Sequence, residues 1–152
     1  MKRTTQGLSK SYFYRAMGFE FRLLEEGDYE NTLVKWWKDW RWAEPPAKDS
    51  LTQDGLCGVM VSKDGVNICA GFIFLTNSKT AWCEYIISNF EYKEDDRGAA
   101  VEYLIDTLSV IAKEKGYKYI FTSLNNEVLI KRYERSGYLV GSKGCTEMIK
   151  IL

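Results

Sequence analysis

Histidine is absent from this 152-residue sequence. Its absence excludes a Ser-His-Asp triad and removes the commonest ligand of zinc sites. Proline occurs only as the adjacent pair Pro45-Pro46. That pair makes the one strong break in the chain, in a polar stretch over 41–55 that reads as a long surface loop, with room for one helical turn. The four cysteines, at 57, 69, 83 and 145, form no Cys-x-x-Cys pair. Cys57, Cys69 and Cys83 sit within apolar stretches and read as small core residues, so no metal is expected. No apolar run approaches the roughly 18–20 residues that span a bilayer. Charge of one sign is not in surplus either: Lys plus Arg and Asp plus Glu each total 21. A general nucleic-acid binder, which must neutralise phosphates, is thereby disfavoured. Chemistry on this chain must use carboxylates, tyrosine, cysteine, lysine or backbone amides.

Apolar residues make up 45% of the chain and charged residues 28%, as in ordinary globular domains. Residues 1–18 are basic, hold no acid and contain no continuous apolar block. They read as a basic tail or a leading strand rather than a secretory signal, and a cytoplasmic location is expected. Residues 19–152 then make one domain.

The period of the apolar residues orders that domain. Phe19 to Leu23 alternates as a strand. After the turn at Gly27-Asp28, Tyr29, Leu33, Trp36, Trp37 and Trp40 fall on one helical stripe. Three strands follow the loop, over Leu56 to Ser62, Val66 to Leu75 and Ala81 to Asn89, with Lys63-Asp64-Gly65 as a hairpin turn. Val101, Leu104, Ile105, Leu108, Ile111 and Ala112 mark the strongest helix, Gly98 to Lys115, stopped by Gly116. A short buried strand over Tyr117 to Ser123, a helix over Asn126 to Ser136 and two last strands, Tyr138 to Val140 and Thr146 to Leu152, complete the order. This predicts an α/β fold with helices on both faces of a mixed sheet. The fourth and fifth strands, joined through the strongest helix, are expected to be parallel.

Chemistry concentrates at the start of that helix. Gly98, Ala99 and Ala100 are small enough for backbone amides to approach a ligand, and the helix N-terminus favours an anion such as a pyrophosphate. An ordinary strand-to-helix loop with Asp96 as N-cap explains the same residues.

Arg97-Gly98-Ala99-Ala100, after a strand and opening a helix, resembles the second half of the Arg/Gln-x-x-Gly-x-Gly/Ala loop of the GNAT acetyltransferase family. Asp95 stands where that family usually has arginine or glutamine, and the loop after Ile87 is longer than usual. Downstream, Asn126 to Tyr138 resembles the family's Asn-x-x-Ala-x-x-Leu-Tyr-Glu-Lys-x-Gly-Phe stretch. Asn126, Tyr133, Glu134, Arg135, Gly137 and Tyr138 fall in register, with Leu129 and Arg132 at the alanine and leucine positions. The likeness runs from Phe19 to the C-terminus, with its sharp motifs in the second half; the compact style resembles small phage and bacterial members.

The resemblance implies a mostly antiparallel sheet of six or seven strands whose fourth and fifth members splay apart around acetyl-CoA. It implies cofactor contacts from Ile86 and Ile87, pairing with the pantetheine arm as an added strand would. Arg97, Gly98, Ala99 and Ala100 would meet the pyrophosphate. Asn126, or the adjacent Asn125, would hydrogen-bond the arm; either residue also suits an N-cap. Tyr133 would act as general acid toward the departing thiolate, or be a buried aromatic. Glu84 would assist deprotonation of the amine, or be an outward surface charge. The first helix and the following loop would shape the acceptor pocket, and two of Trp36, Trp37, Trp40 and Trp42 are expected in the core.

The expected reaction is transfer of an acetyl group from acetyl-CoA to a primary amine, on a small molecule or a protein, by direct attack in a ternary complex. No metal, nucleic acid or membrane takes part, and the protein is a monomer or homodimer. Uncompensated acid at Asp95 motivates the alternative, a catalytically weak or inactive GNAT-shaped binding or accessory protein that holds coenzyme A weakly or not at all and acts on a macromolecular partner.

Overall fold

The computed structural model describes residues 10–42 and 44–152. A helix over 10–16, α1, leads into the sheet, where a basic tail or leading strand is predicted over 1–18; the first part of that prediction, 1–9, lies outside the described residues. The sheet has five strands in the order β1-β2-β3-β4-β5. They are β1 (Phe19–Leu23), β2 (Gly58–Lys63), β3 (Val66–Leu75), β4 (Thr80–Ser88) and β5 (Tyr119–Phe121). The first four pair antiparallel, and β4 pairs with β5 in parallel, as the crossover predicts.

The stripe of tryptophans winds as a π-helical turn over Tyr29–Leu33 that runs into α2 (Val34–Asp39). Short 3-10 turns at Lys48–Ser50 and Thr52–Gly55 organise the long loop. Beyond β4 come α3 (Arg97–Glu114) and α4 (Glu127–Arg135). Each face of the sheet buries its own cluster. On one, Val101, Leu104, Ile105 and Leu108 of α3 pack on Val59, Val61, Ile68 and Ile73. On the other, Leu33, Trp36 and Trp37 pack on Met60, Phe72 and Ile87. Among the described residues, no helix is long and apolar enough to cross a membrane.

Among the described residues, five strands stand in place of the six or seven expected. Tyr138 to Val140 and Thr146 to Leu152 form no strand, and Leu139, Met148, Ile149, Ile151 and Leu152 are almost fully exposed. A strand exists only where a neighbour accepts its hydrogen bonds. The edge that these segments would need is β5, which is three residues long.

Candidate functional site

The site begins with an irregularity in β4. Ala81 and Cys83 face the α3 side, whereas Tyr85 and Ile87 face the α2 side. The phase of the strand therefore reverses between Glu84 and Tyr85. Tyr85 takes a left-handed backbone conformation, φ 57°, and the pairing with β3 jumps from Phe72↔Glu84 to Ala70↔Ile87. This is a β-bulge, with one extra residue on β4 that bends the strand and increases its twist. Gly71 lies opposite. A Cβ there would come within 2.5 Å of Ile86 Cδ1 and 3.1 Å of Leu108 Cδ1, so glycine at this position lets Ile86 turn inward beneath α3.

The bend separates β4 from β5. Their pairing covers Thr80↔Tyr119, Ala81↔Ile120 and Trp82↔Phe121 and stops there. Just past the last pair, the Ser123 amide donates to Glu84 Oε1 at 3.2 Å, so a side chain bridges what a ladder no longer closes. Further along opens a cleft of about 370 Å³. Ile86, Ile87 and Ser88 form one wall, and Asn126, Leu129 and Arg132 the other; Arg97 and Gly98 stand at the α3 end.

Predicted site residues divide between this cleft and the interior. Ile86, Ile87, Arg97, Gly98 and Asn126 line it. Asn126 is the N-cap of α4, its Oδ1 accepting from the Leu129 amide at 3.0 Å, which leaves its amide protons for a ligand. Asn125 is exposed and outside the lining. Ala99 and Ala100 also lie outside it. Ala100 is fully buried, and its amide is taken up by Asp96 O at 3.0 Å, leaving Gly98 and Ala99 to offer amides in the first turn.

Tyr133 is 2% exposed, and its hydroxyl lies 3.3 Å from Cys83 Sγ, below the point where the strands part. Burial raises its pKa, and the neighbouring Cys83 adds to this. The phenol is thus held protonated, and it lies outside the lining of the cleft. Burial also pushes the Cys83 thiol up to about 12, which makes it a poor nucleophile at neutral pH. Burial raises the Glu84 carboxyl as well, with Glu147 adding to the effect and the Ser123 amide opposing it.

The acids before α3 leave the mouth of the cleft open. Asp96 is the N-cap residue but makes no side-chain cap; its carboxylate accepts from Lys63 Nζ and Tyr92 Oη, each at 2.7 Å. Asp95 is exposed, and neither acid lines the cleft.

Two contributors escape the sequence motifs. One is Arg132, whose guanidinium covers Gly98 so closely that a methyl group on Gly98 would lie 2.7 Å from its Cζ. The other is the pair Trp40 and Trp42, which line the cleft while Trp36 and Trp37 are buried in the core. Arg97 Cζ lies 5.5 Å over the Trp40 ring, a cation–π contact, and Trp40 Nε1 donates to Ser88 O at 2.8 Å. An aromatic residue four positions past a buried tryptophan is the signal available for Trp40. Among the described residues, no cluster of three or more His, Cys, Asp or Glu suits a metal ion.

Comparison with protein families finds no match, and neither does comparison with curated proteins. Solved structures do match. Glucosamine-6-phosphate N-acetyltransferase from Arabidopsis thaliana superimposes with a TM-score of 0.61 at 12% identity, over 87% of this chain and 99% of that one. An aminoglycoside acetyltransferase from an uncultured soil metagenomic sample gives 0.59 at 12% identity, over 90% and 97%. Ribosomal-protein-alanine N-acetyltransferase from Brucella melitensis gives 0.59 at 12% identity, over 88% and 99%. These likenesses show that the chain has the fold of those acetyltransferases, the GNAT fold that the sequence resemblance implies.

Proposed function

We propose that the protein is an N-acetyltransferase that moves the acetyl group of acetyl-CoA to a primary amine by direct attack in a ternary complex. The observation that carries this reading is the wedge between β4 and β5, whose mouth holds Arg97, Gly98 and Arg132 and whose lining includes no carboxylate. Such a cleft suits a ligand with an anionic head and a narrow, hydrogen-bonding tail. Acetyl-CoA supplies the activated thioester. Backbone groups of Ile86 and Ile87 and the Asn126 amide hold its arm in line, and β4 amides polarise the carbonyl.

The acceptor nitrogen attacks the thioester carbonyl carbon. A C–N bond forms, the C–S bond breaks, and the departing sulfur takes the Tyr133 proton. Glu84, whose pKa burial raises, accepts the proton that the amine releases, directly or through water. Cys83 takes no part, since its thiol stays protonated. Amine acceptors are consistent with structural neighbours named as N-acetyltransferases of glucosamine-6-phosphate and of ribosomal-protein alanine.

Calorimetry with acetyl-CoA, followed by labelled acetyl-CoA with a panel of amines, amine-bearing sugars and peptides, tests the reading. Saturable binding and label on an amine are expected; no heat at millimolar ligand defeats it. Tyr133→Phe should lower kcat roughly 100-fold with donor affinity unchanged. An unaltered kcat removes Tyr133 from the mechanism.

A further inference from the structure

A cation is badly placed in the first turn of a helix, where the backbone presents partial positive charge. The first turn of α3 nevertheless contains no acid, opens with Arg97 and is overlaid at Gly98 by the Arg132 guanidinium of α4. Glu102, one turn further along α3, does not account for this. Its Oε1 is held by Arg135, with Nη2 at 2.6 Å and Nε at 2.8 Å, while Arg132 Nη1 reaches the same oxygen only at 3.4 Å. Glu102 is thus satisfied by Arg135, and Arg132 is a loosely held second partner whose planar fork faces the cleft. Two guanidiniums and no carboxylate among the lining residues make that end of the cleft a site for an anion with several oxygens.

We propose that Arg132 is a binding residue for the diphosphate of the acyl donor, swinging from Glu102 to grip phosphate oxygens from the α4 side while α3 offers its amides. The inference rests on the acetyl-CoA reading above and extends it to a residue on a different helix from the glycine loop. It also gives the glycine at 98 a second purpose. Besides letting a ligand approach, the bare Cα makes room for the guanidinium that receives it.

Calorimetry with coenzyme A and with pantetheine, which lacks the diphosphate, tests the proposal on Arg132→Met, Arg132→Lys and Arg135→Met. Arg132→Met should weaken coenzyme A roughly 10- to 100-fold and leave pantetheine unchanged. Arg132→Lys, which keeps the charge and the stem, should fold where the Met variant does not and recover part of the affinity. Arg135→Met, which leaves Glu102 with Arg132 as its remaining partner, should weaken coenzyme A by a smaller factor than Arg132→Met and leave pantetheine unchanged; tighter coenzyme A binding in this variant overturns the proposal. Equal weakening of both ligands by Arg132→Met makes the residue structural and overturns the proposal, as does no weakening of either. A wild-type protein that binds coenzyme A no better than pantetheine overturns it while leaving the transferase reading standing. A wild-type protein that binds neither defeats both.

Discussion

The two margins of β4 are built on opposite terms. Toward β3 the strand is paired along most of its length and buried among Ile73, Leu104 and Leu108. Toward β5 it is paired over three residues and then faces open space. One residue links the two margins. The extra residue at Tyr85 disturbs the β3 ladder by a single step, and the resulting bend opens the β5 side. The gap in this sheet is therefore made by a defect on its well-packed edge, and the core beneath α3 holds that defect in place.

The largest expected effect comes from breaking the packed margin. Gly71→Val puts a branched side chain where even a methyl group would meet Ile86 and Leu108. Overpacking of this kind should cost about 3 kcal/mol, read as a fall in the midpoint of urea unfolding. Because the displaced group is Ile86, a lining residue of the cleft, donor affinity should fall with stability. Full stability in the variant would mean that the bulge does not depend on the glycine.

Glu84 sharpens the comparison from the open margin, where its carboxylate spans the gap to Ser123. Glu84→Gln keeps an acceptor for the Ser123 amide and removes the base. kcat/KM should fall roughly 10- to 100-fold and lose its acidic limb. In the wild type the rate rises with pH as Glu84 ionises, above the ordinary glutamate range because burial raises its pKa. The stability change has the opposite sign. A raised folded-state pKa gives a contribution that is present below the unfolded pKa and lost as pH rises through the folded one. The Gln variant should therefore match the wild type in acid and exceed it, by less than about 1 kcal/mol, at neutral pH. Thermal melts at both pH values read this directly; an unshifted pH–rate profile removes Glu84 as the base.

How far the sequence reveals this arrangement follows from which forces are local. The helix α3 was legible from its apolar stripe and its Gly116 stop, and α4 from Asn126 and Gly137, because period and caps are properties of adjacent residues. Two of the four tryptophans, Trp36 and Trp37, are core as expected, but only the sheet beneath them decides that Trp40 and Trp42 meet the cleft. The bulge was not legible in Tyr85 itself, which is an ordinary strand residue. Its one trace is Gly71, a glycine inside an apolar strand, where a bulge or a close approach is the usual cause. Arg132 could not be read either, since its contact with Gly98 joins residues 34 positions apart through the packing of α4 on α3.

The smallest expected effect concerns the segment that the sequence assigns to a last strand. Ile149 and Ile151 are 94% and 93% exposed, so folding removes almost none of their surface from water and serine should cost almost nothing. Ile149→Ser and Ile151→Ser should each shift stability by no more than about 0.5 kcal/mol. Ile73→Ala, on the packed margin and 1% exposed, should cost about 2–5 kcal/mol. A loss above about 1 kcal/mol in the serine variants would mean that the segment rests on the β5 edge in solution. The sheet would then gain the strand expected from the sequence, and the open margin of β4 would have a second wall. Equal thermal midpoints for the serine variants and the wild type leave β5 as the edge and the wedge as open as its three-residue pairing implies.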